Sequence, residues 1–350
     1  MKTMSSGERF AAIINGKKPD RVPVVGFAVQ YTAKLAGISL EEFYKDIPLC
    51  IKVQQLAKEL HGYDDGISYG WADWGGWEFG GQVHFPQSYE ESAPSTAVSP
   101  VEKVSDVDKL SVKDIRSAGM IPYLLEFNRL VTAEGAPAKL RAGSVTSIVA
   151  SIIGKERLLL WYLMEPEAVK AVYEKATEFL IQAADLMLTE FGGKGSASIS
   201  APLDSNDLIS PDLFEKFTVP YQSRVNQWLI DHGVTSIRAH ICGNQKHNLA
   251  AWASIPWPPR TIFSVGREMD MAEVAEAFGH QHIVAGNVST TMLGIGSYEE
   301  VYSDAKRSLE EGKDLPGGFI LMSACELPVL TPPLNVQAMI QASKDHGRYS

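Results

Sequence analysis

Seven short runs of β-branched and other apolar residues alternate with long segments of helical periodicity along this chain. The alternation predicts parallel β–α–β units, because two parallel strands need a long crossover that is usually a helix. Seven such strands in regular succession favour an α/β architecture of the (β/α)8 TIM-barrel type over an open sheet. In that barrel catalytic residues lie at the carboxyl ends of the strands, so the ends of these runs are the places to look for a site. The runs comprise residues 21–27, 138–145, 196–202, 235–242, 260–266, 282–288 and 318–325.

Between these runs lie segments whose apolar residues recur with the 3.6-residue period of a helix. The longest has a proline in its first turn and stops before Gly192 and Gly193, as helices commonly do. A shorter helix is predicted near the N-terminus, over about residues 5–16, with Ser5 or Ser6 as its N-cap. The three longer predicted helices comprise residues 165–191, 211–233 and 297–312.

The length of 350 residues is compatible with one large unit, because α/β barrels commonly use a whole chain of this size. We therefore predict a single TIM-barrel domain over residues 1–350. Residues 62–120 depart from the alternation, since they are rich in Gly, Trp, Ser and Pro and show no β–α rhythm. We expect this stretch to be an elaborated loop region of the barrel.

The charge and hydropathy of the chain argue against several classes of partner. A net charge of −10 and an isoelectric point near 5.4 disfavour nucleic acid and anionic membrane surfaces, since phosphates would be repelled. No apolar run approaches the roughly 18 residues that span a bilayer, and the first residues lack the apolar core of a signal peptide. Three cysteines are too few for a disulfide framework, so a reducing cytoplasm is the expected compartment.

The strongest candidate for chemistry stands at the end of the run 235–242. His240 and Cys242 are two residues apart, so in a strand both side chains project from the same face. Cys325 ends the run 318–325, and if both runs are barrel strands the three side chains lie at one rim. Two thiolates and an imidazole suit zinc better than magnesium or calcium. Three protein ligands also leave a fourth position open, as in catalytic zinc sites.

Core packing is the competing explanation for the same residues. Free cysteine is among the most buried residue types and often serves as a small hydrophobe, and a His-X-Cys pair is a short motif. Cys50 is the contrasting case, because it lies on a predicted helix beside Leu49 and Ile51, where packing explains it. The residues alone leave both explanations open for His240 and Cys242.

Several segments of the chain resemble the uroporphyrinogen decarboxylase-like superfamily. Within it they resemble the branch of zinc-dependent corrinoid methyltransferases, which includes the methylcobamide:coenzyme M methyltransferases. The resemblance covers most of the chain. ERFAAIINGKKPDRVPV is similar to the family's opening helix and first strand, LISPDLFEKFTVPY to a helix-initiating segment, and IVAGNVSTTMLGIGSYEEV to its Gly-Asn-Val turn and next helix. HICGN with the later SACELP is similar to the His-X-Cys … Cys zinc signature of the methyltransferase branch.

The resemblance implies a TIM barrel of the uroporphyrinogen decarboxylase/methionine synthase type, with His240, Cys242 and Cys325 as zinc ligands. Glu268 is then either an occasional fourth ligand or an exposed ion-pairing residue. The implied reaction moves a methyl group between methylcobalamin, carried by a separate corrinoid protein, and a small thiol or methoxylated compound. The sequence fixes neither that small molecule (coenzyme M, homocysteine, tetrahydrofolate or an aryl methyl ether) nor the direction of transfer, and it leaves homodimer formation open.

Two other functions stay open on the sequence. The first is decarboxylation of uroporphyrinogen, an anionic tetrapyrrole. Decarboxylases of the family carry an arginine-rich segment after the first strand, whereas here no arginine lies between Arg21 and Arg116, and the missing counterions count against this reaction. The second is a non-catalytic scaffold that binds a corrinoid partner and holds a structural zinc.

Five further residues are candidates for contacts with a substrate. Trp74 and Trp77 lie three apart among glycines, either as an aromatic wall for an aryl substrate or as caps on the barrel core. Asp204 follows a predicted strand, either as a pocket carboxylate or as a helix N-cap. Asn244 and Asn287 each follow a glycine at a strand end, where they form turns or hydrogen-bond a ligand.

Overall fold

The computed structural model describes residues 3–64, 66–193 and 195–349 of the chain. The strands in this part are β1 Val24–Val25, β2 Gln82–His84, β3 Ser95–Val98, β4 Ala138–Arg141, β5 Gly195–Ala201, β6 Ser236–Ile241, β7 Ile262–Val265, β8 Ile283–Val288 and β9 Phe319–Ser323. The helices are α1 Ser6–Ile14, α2 Gln30–Ala36, α3 Leu40–Lys45, α4 Ile47–His61, α5 Ile121–Ala133, α6 Val145–Ile153, α7 Lys155–Met164, α8 Pro166–Glu190, α9 Pro211–Leu213, α10 Val219–Asp231, α11 Leu249–Ser254, α12 Met271–Ala277, α13 Thr290–Ile295, α14 Tyr298–Gly312 and α15 Pro333–His346.

Seven of the strands form one parallel sheet in the order β1-β9-β8-β7-β6-β5-β4. From β4 to β9 each strand pairs with its neighbour along the chain, and β1 joins β9, which is the strand order of a β/α barrel. Each predicted run contains one of these strands, so the predicted alternation is confirmed. β1, β7, β8 and β9 are buried throughout, because helices cover a parallel sheet, whereas β4, β5 and β6 alternate buried apolar residues with partly accessible, mostly polar ones.

Backbone pairing does not join β1 to β4 in the described residues, so that interval of the barrel holds no ladder. Two hydrogen bonds identify the segment that fills the interval between β1 and β4. The Asp64 N–H donates to the Val24 carbonyl of β1 over 2.7 Å. The Arg141 side chain of β4 donates to the Trp71 carbonyl over 2.8 Å. The described residues 66–70 between these contacts therefore stand in the place of an eighth strand without forming one.

Apolar side chains fill the inside of the sheet at its amino end, and α1 closes that end. Ser5 caps α1 as predicted, because its hydroxyl accepts from the Glu8 N–H while the Glu8 carboxylate accepts from the Ser5 N–H. The amino end is thus sealed, which leaves the carboxyl ends of the strands for a site. The inner cluster consists of Ile13, Val25, Ile262, Ile283, Ala285, Ile320 and Met322, with Phe10, Ile14 and Phe27 packed against it.

The predicted helix over 211–233 is interrupted by a π-helical turn, Phe214–Thr218, between α9 and α10. Pro220 gives the physical reason, since it has no N–H to donate to the carbonyl four residues earlier and so disturbs the α-helical ladder. The other two long predicted helices are observed as α8 and α14.

The described part of residues 62–120 includes an antiparallel hairpin that the sequence pattern did not indicate, and the assignment of this stretch as an elaborated loop region stays a prediction. The hairpin pairs β2 with β3, and both strands are largely exposed, so neither carries the apolar alternation of a half-buried strand. That residues 1–350 form a single domain stays a prediction. No helix in the described residues is long and apolar enough to cross a bilayer.

Candidate metal centre

The end of β6 positions the first two side chains of the candidate centre. His240 lies on β6 and Cys242 directly follows it, so the alternation of the strand aims both side chains the same way. Gly243 then turns the chain away with a φ of +70°, which glycine adopts without strain. A Cβ at this position would also lie 3.1 Å from the Cβ of Ser205. The glycine is therefore required by the turn and by close packing.

The third side chain comes from the loop after β9. β7 and β8 separate β9 from β6 in the sheet, yet the curl of the sheet brings Cys325 Sγ to 3.8 Å from Cys242 Sγ. The ligand atoms of His240, Cys242 and Cys325 all lie within 4.8 Å of one another. The Ser323 hydroxyl donates to the Cys325 carbonyl over 2.6 Å and so fixes the loop. The structure thus brings together the three residues that the sequence singled out.

The geometry of these donors fits a tetrahedral metal ion. Two sulfurs that bind one zinc at ~2.3 Å with a tetrahedral angle are about 3.8 Å apart. The observed separation between Cys242 Sγ and Cys325 Sγ is 3.8 Å. Neither cysteine is fully buried. The donor set suits zinc, and its spacing leaves room for a fourth ligand.

The orientation of His240 provides a second test of fit. Its Nδ1 shares a hydrogen bond of 2.9 Å with Ser264 Oγ, which lies opposite it in the β6–β7 ladder. The ring of Phe27 packs edge-on against the imidazole at 5.4 Å between centroids. The remaining nitrogen, Nε2, is buried and has no hydrogen-bond partner among the described residues. A buried polar atom without a partner is costly, and a metal ion bound at Nε2 would remove that cost.

The thiols of Cys242 and Cys325 shift each other's pKa because they are close together and partly buried. The contact with Cys325 lowers the pKa of Cys242, although burial and the charge of Glu268 oppose this shift. The same contact, together with burial, raises the pKa of Cys325 to about 12. One negative charge is therefore readily held by the pair, whereas two require a cation, because like charges at this distance repel.

Replacement of Ser264 by alanine is expected to weaken zinc binding by about 10- to 100-fold, because a hydrogen bond to the non-ligating nitrogen fixes the tautomer and orientation of a metal-bound histidine. Zinc affinity would be measured by competition with a chromophoric chelator. Ser200→Ala is the matched control, since Ser200 lies opposite His240 on the other side, in the β5–β6 ladder, and its side chain makes no recorded bond to the imidazole. Equal affinities in the two variants would contradict the assigned role of Ser264.

Gln245 supports the loop after Cys242, and nothing in the sequence pattern pointed to it beyond its place next to the HICGN motif. Its side chain is fully buried, donates to the Cys242 carbonyl over 2.9 Å and accepts from Trp252 Nε1 over 2.9 Å. Its backbone N–H contacts Met269 Sδ at 3.1 Å. These bonds immobilise the backbone that carries one of the sulfurs. Ser264 and Phe27 were missed as well, and finding them requires the strand register rather than a sequence motif.

Glu268 lies near the three candidate metal ligands, but its carboxylate is not one of the atoms that cluster there. It is exposed, and its Oε2 stands 2.6 Å from where a Cβ on Gly266 would be, so the side chain folds back over that glycine. The group of donor atoms within 4.8 Å of one another comprises the histidine and the two cysteines without this carboxylate. Its role as an occasional fourth ligand stays a prediction, one that requires the side chain to move.

Asp204 is completely buried in the wall beside the site. Its Oδ1 accepts from the Thr218 hydroxyl of the π-helical turn over 2.9 Å. Burial raises the pKa of Asp204, although the hydroxyls of Thr146, Ser144 and Thr218 oppose the shift. The carboxyl therefore ties the start of α6 to the π-helical turn. It caps neither α6 nor α9, whose N-caps are Ser144 and Ser210, and its assignment to a substrate pocket stays a prediction.

The side chains of Asn244 and Asn287 are engaged in holding turns. Asn244 Oδ1 accepts from the Lys246 N–H over 3.1 Å. Asn287 donates to the Met269 carbonyl over 3.0 Å and accepts from Arg307 over 3.0 Å. Asn287 is buried with both of its polar atoms bonded, which leaves it little capacity to bind a ligand. The predicted substrate contacts of these two residues stay untested.

The two tryptophans lie in packing environments rather than at the three donors. Trp74 is buried and packs edge-on against Phe179 of α8 at 5.3 Å between ring centroids. Trp77 is half-buried against Phe85 at 6.0 Å and Tyr123 at 6.3 Å. These contacts agree with the alternative in which the tryptophans cap the core. A role for either in binding an aryl substrate stays a prediction that its placement does not favour.

Two relatives with assigned activities match most of this chain in sequence. The chain is 25% identical over 349 residues to the methylcobamide:CoM methyltransferase MtaA of Methanosarcina barkeri, which covers 97% of each chain. It is 24% identical over 266 residues to the methylcobamide:CoM methyltransferase MtbA of Methanosarcina mazei, 72% of each chain. These proteins are named for methyl transfer between a methylcobamide and CoM.

A solved structure and a family profile settle the fold and the family. The structure of a methyltransferase from Methanosarcina mazei superposes with a TM-score of 0.80 at 23% identity, over 98% of this chain and 99% of that one. The TIM-barrel prediction is thereby confirmed, with seven ladder strands in the described residues. The sequence profile of the Uroporphyrinogen decarboxylase (URO-D) family matches residues 5–346. The chain therefore belongs to the uroporphyrinogen decarboxylase (URO-D) family.

Proposed function

We propose that this protein is a zinc-dependent methyltransferase that moves a methyl group between a corrinoid, carried by a partner protein, and a small thiol or methoxylated compound. The observation that carries the proposal is the convergence of the His240 imidazole with the sulfurs of Cys242 and Cys325 at the carboxyl ends of barrel strands. The names of the methylcobamide:CoM methyltransferase relatives support the choice of reaction.

His240, Cys242 and Cys325 would hold the zinc ion, and neighbouring residues would keep these ligands in position. A bound zinc ion would supply a Lewis acid that favours the ionised form of a coordinating thiol at neutral pH. Ser264 engages Nδ1 of the imidazole, and Nε2 has no hydrogen-bond partner among the described residues. Gln245 holds the carbonyl of Cys242 in place. The apolar cluster closed by α1 blocks access from the amino end, so substrates approach from the carboxyl side.

The test is demethylation of methylcobalamin, followed by its visible absorption, with coenzyme M, homocysteine, tetrahydrofolate and phenols as acceptors. We expect transfer to at least one acceptor by the zinc-loaded protein. After zinc is removed, transfer to a thiol should fall at least about 30-fold at pH 7, because only about 3% of a thiol with a pKa of 8.5 is ionised there. Added zinc should restore the rate. An equal rate without zinc would contradict the proposal, as would no transfer to any acceptor.

Assays of the same protein with and without zinc distinguish the two other functions. A decarboxylase would form coproporphyrinogen from uroporphyrinogen whether or not zinc is present. A scaffold with structural zinc would unfold on zinc removal and transfer no methyl group. The structure disfavours the decarboxylase, because β1 is followed by Phe27 and α2 and the described residues from 22 to 115 contain no arginine to bind carboxylates.

A further inference from the structure

One face of α7 is apolar and exposed. Leu159, Leu160, Leu163 and Met164 are exposed by 42, 61, 78 and 72%. They stand at positions i, i+1, i+4 and i+5, so helical geometry places them side by side over two turns. Among the described residues no other helix exposes more than two large apolar side chains. Exposed apolar residues scattered singly are normal, whereas a continuous face of them marks an interaction site.

The opposite face of α7 is apolar as well and packs against the barrel. Leu158, Trp161 and Tyr162 are buried. The Tyr162 ring lies 4.7 Å from that of Phe217 in the π-helical turn, and the Tyr162 hydroxyl shares a hydrogen bond of 2.6 Å with that of Tyr173 on α8. A helix that is apolar all round is normally buried all round. The second half of α7 is such a helix, but the described residues cover only one of its faces.

The exposed face of α7 is large enough to form the centre of a dimer interface. Its four side chains together expose the equivalent of about two and a half whole residues, on the order of 300–400 Å². A standard interface buries about 800 Å² on each partner, and about 65% of that area is apolar where identical chains meet. Each copy must then supply about 500 Å² of apolar surface. The exposed face of α7 alone provides more than half of that area.

The charges beside this face favour a second copy of the same chain in antiparallel orientation. Lys155 lies at the amino end of α7, and Glu165 and Glu167 follow its carboxyl end. The side chains of Lys155 and Glu167 are 57 and 82% exposed beside their pairing partners, Asp73 and Lys170. A twofold axis perpendicular to α7 sets the amino end of one helix beside the carboxyl end of the other, so the lysine faces the two glutamates. The antiparallel helix dipoles attract each other in the same arrangement.

We propose that the exposed face of α7 is the centre of an antiparallel homodimer interface, in which Leu159, Leu160, Leu163 and Met164 of one copy pack against the same residues of a second copy. An anionic membrane surface does not fit this face, because the glutamates beside it and the net charge of −10 would repel the lipid phosphates. None of the three candidate metal ligands lies on α7, so the interface does not depend on the proposed function.

Sedimentation equilibrium of the full chain over a range of concentrations tests the interface. We expect a dimer with a dissociation constant of about 10 μM or below. Leu160→Glu should weaken dimerisation by at least about 100-fold, because the twofold axis would bury the new charge of both copies in one apolar centre. Leu60→Glu is the matched control, since Leu60 on α4 is 62% exposed, compared with 61% for Leu160, and lies outside the face. Thermal unfolding verifies that both variants fold.

Charge exchange at low ionic strength tests the antiparallel orientation. Lys155→Glu should weaken the dimer by about 3- to 10-fold, since an exposed ion pair is lost at both ends of the interface, and adding Glu165→Lys should recover that loss. A dimer that Lys155→Glu does not weaken overturns the antiparallel arrangement. A chain that stays monomeric up to about 100 μM overturns the whole proposal, because a standard interface binds more tightly than that. So does a dimer that Leu160→Glu weakens no more than Leu60→Glu, or a monomer that sediments with phosphatidylglycerol vesicles through this face.

Discussion

Replacement of Cys325 by alanine is expected to weaken zinc binding by about 100-fold or more and to remove methyl transfer with it. Structural zinc sites of four ligands bind with about 10–16 kcal/mol, so one ligand is worth about 3 kcal/mol, which is a factor of about 100. Cys325 supplies one of three donors that lie within 4.8 Å of one another, and in the described residues no other histidine, cysteine or carboxylate belongs to the group. Cys242→Ala and His240→Ala should behave alike.

Cys50→Ala is the matched control for the loss of a thiol. Cys50 is buried on α4, where Gln54 Nε2 lies 3.1 Å from its sulfur. Burial raises the pKa of Cys50 to about 12, so it stays a neutral thiol and does not attract a metal. Zinc content and affinity would be measured by elemental analysis and chelator competition, with thermal unfolding to verify folding. If Cys325→Ala retained as much zinc as Cys50→Ala, the candidate metal centre would be refuted.

The strands of the sheet and the three candidate ligands could be predicted because both depend on short-range pattern. A buried parallel strand is a continuous apolar run, and residues two apart on it share a face. Local reasoning therefore singled out His240 and Cys242, and the rule that barrel sites gather at the carboxyl ends of strands added Cys325, while the family resemblance favoured a metal site over core packing. The 3.8 Å between the two sulfurs is what the structure adds to that prediction.

The contacts that could not be predicted from the sequence depend on the register of the strands and on which neighbouring groups bond to a given side chain. Ser264 supports His240 only because the β6–β7 ladder sets them opposite each other, and no motif encodes that pairing. Asn287 follows a glycine at a strand end, which is a common position for a ligand-binding residue, but its polar atoms are bonded to Arg307 and to the Met269 carbonyl.

Replacement of Asp64 by alanine is expected to lower the free energy of unfolding by about 3–5 kcal/mol, because it leaves the buried Arg21 without its counterion and leaves Arg9 with Asp20 alone. The Asp64 side chain is inaccessible to solvent and binds Arg9 Nη1 at 2.7 Å and Arg21 Nη1 at 3.0 Å. It also accepts from the Val24 N–H over 2.8 Å, so the same carboxylate fixes the start of β1. Arg21 has no other carboxylate within ion-pair distance in the described residues.

Urea unfolding would measure the loss, with Glu190→Ala as the control variant. Glu190 also pairs with an arginine, Arg116, at 2.6 Å, but both side chains are roughly half exposed, so that pair is worth less than about 1 kcal/mol. Asp64→Asn should fall between the two alanine variants, since it keeps the shape and loses the charge. If Asp64→Ala lowered the free energy of unfolding by no more than Glu190→Ala does, the buried ion pairs would not stabilise the amino end of the barrel. Because β1 leads to Phe27, which packs against His240, the predicted destabilisation would also loosen the support of the candidate metal centre.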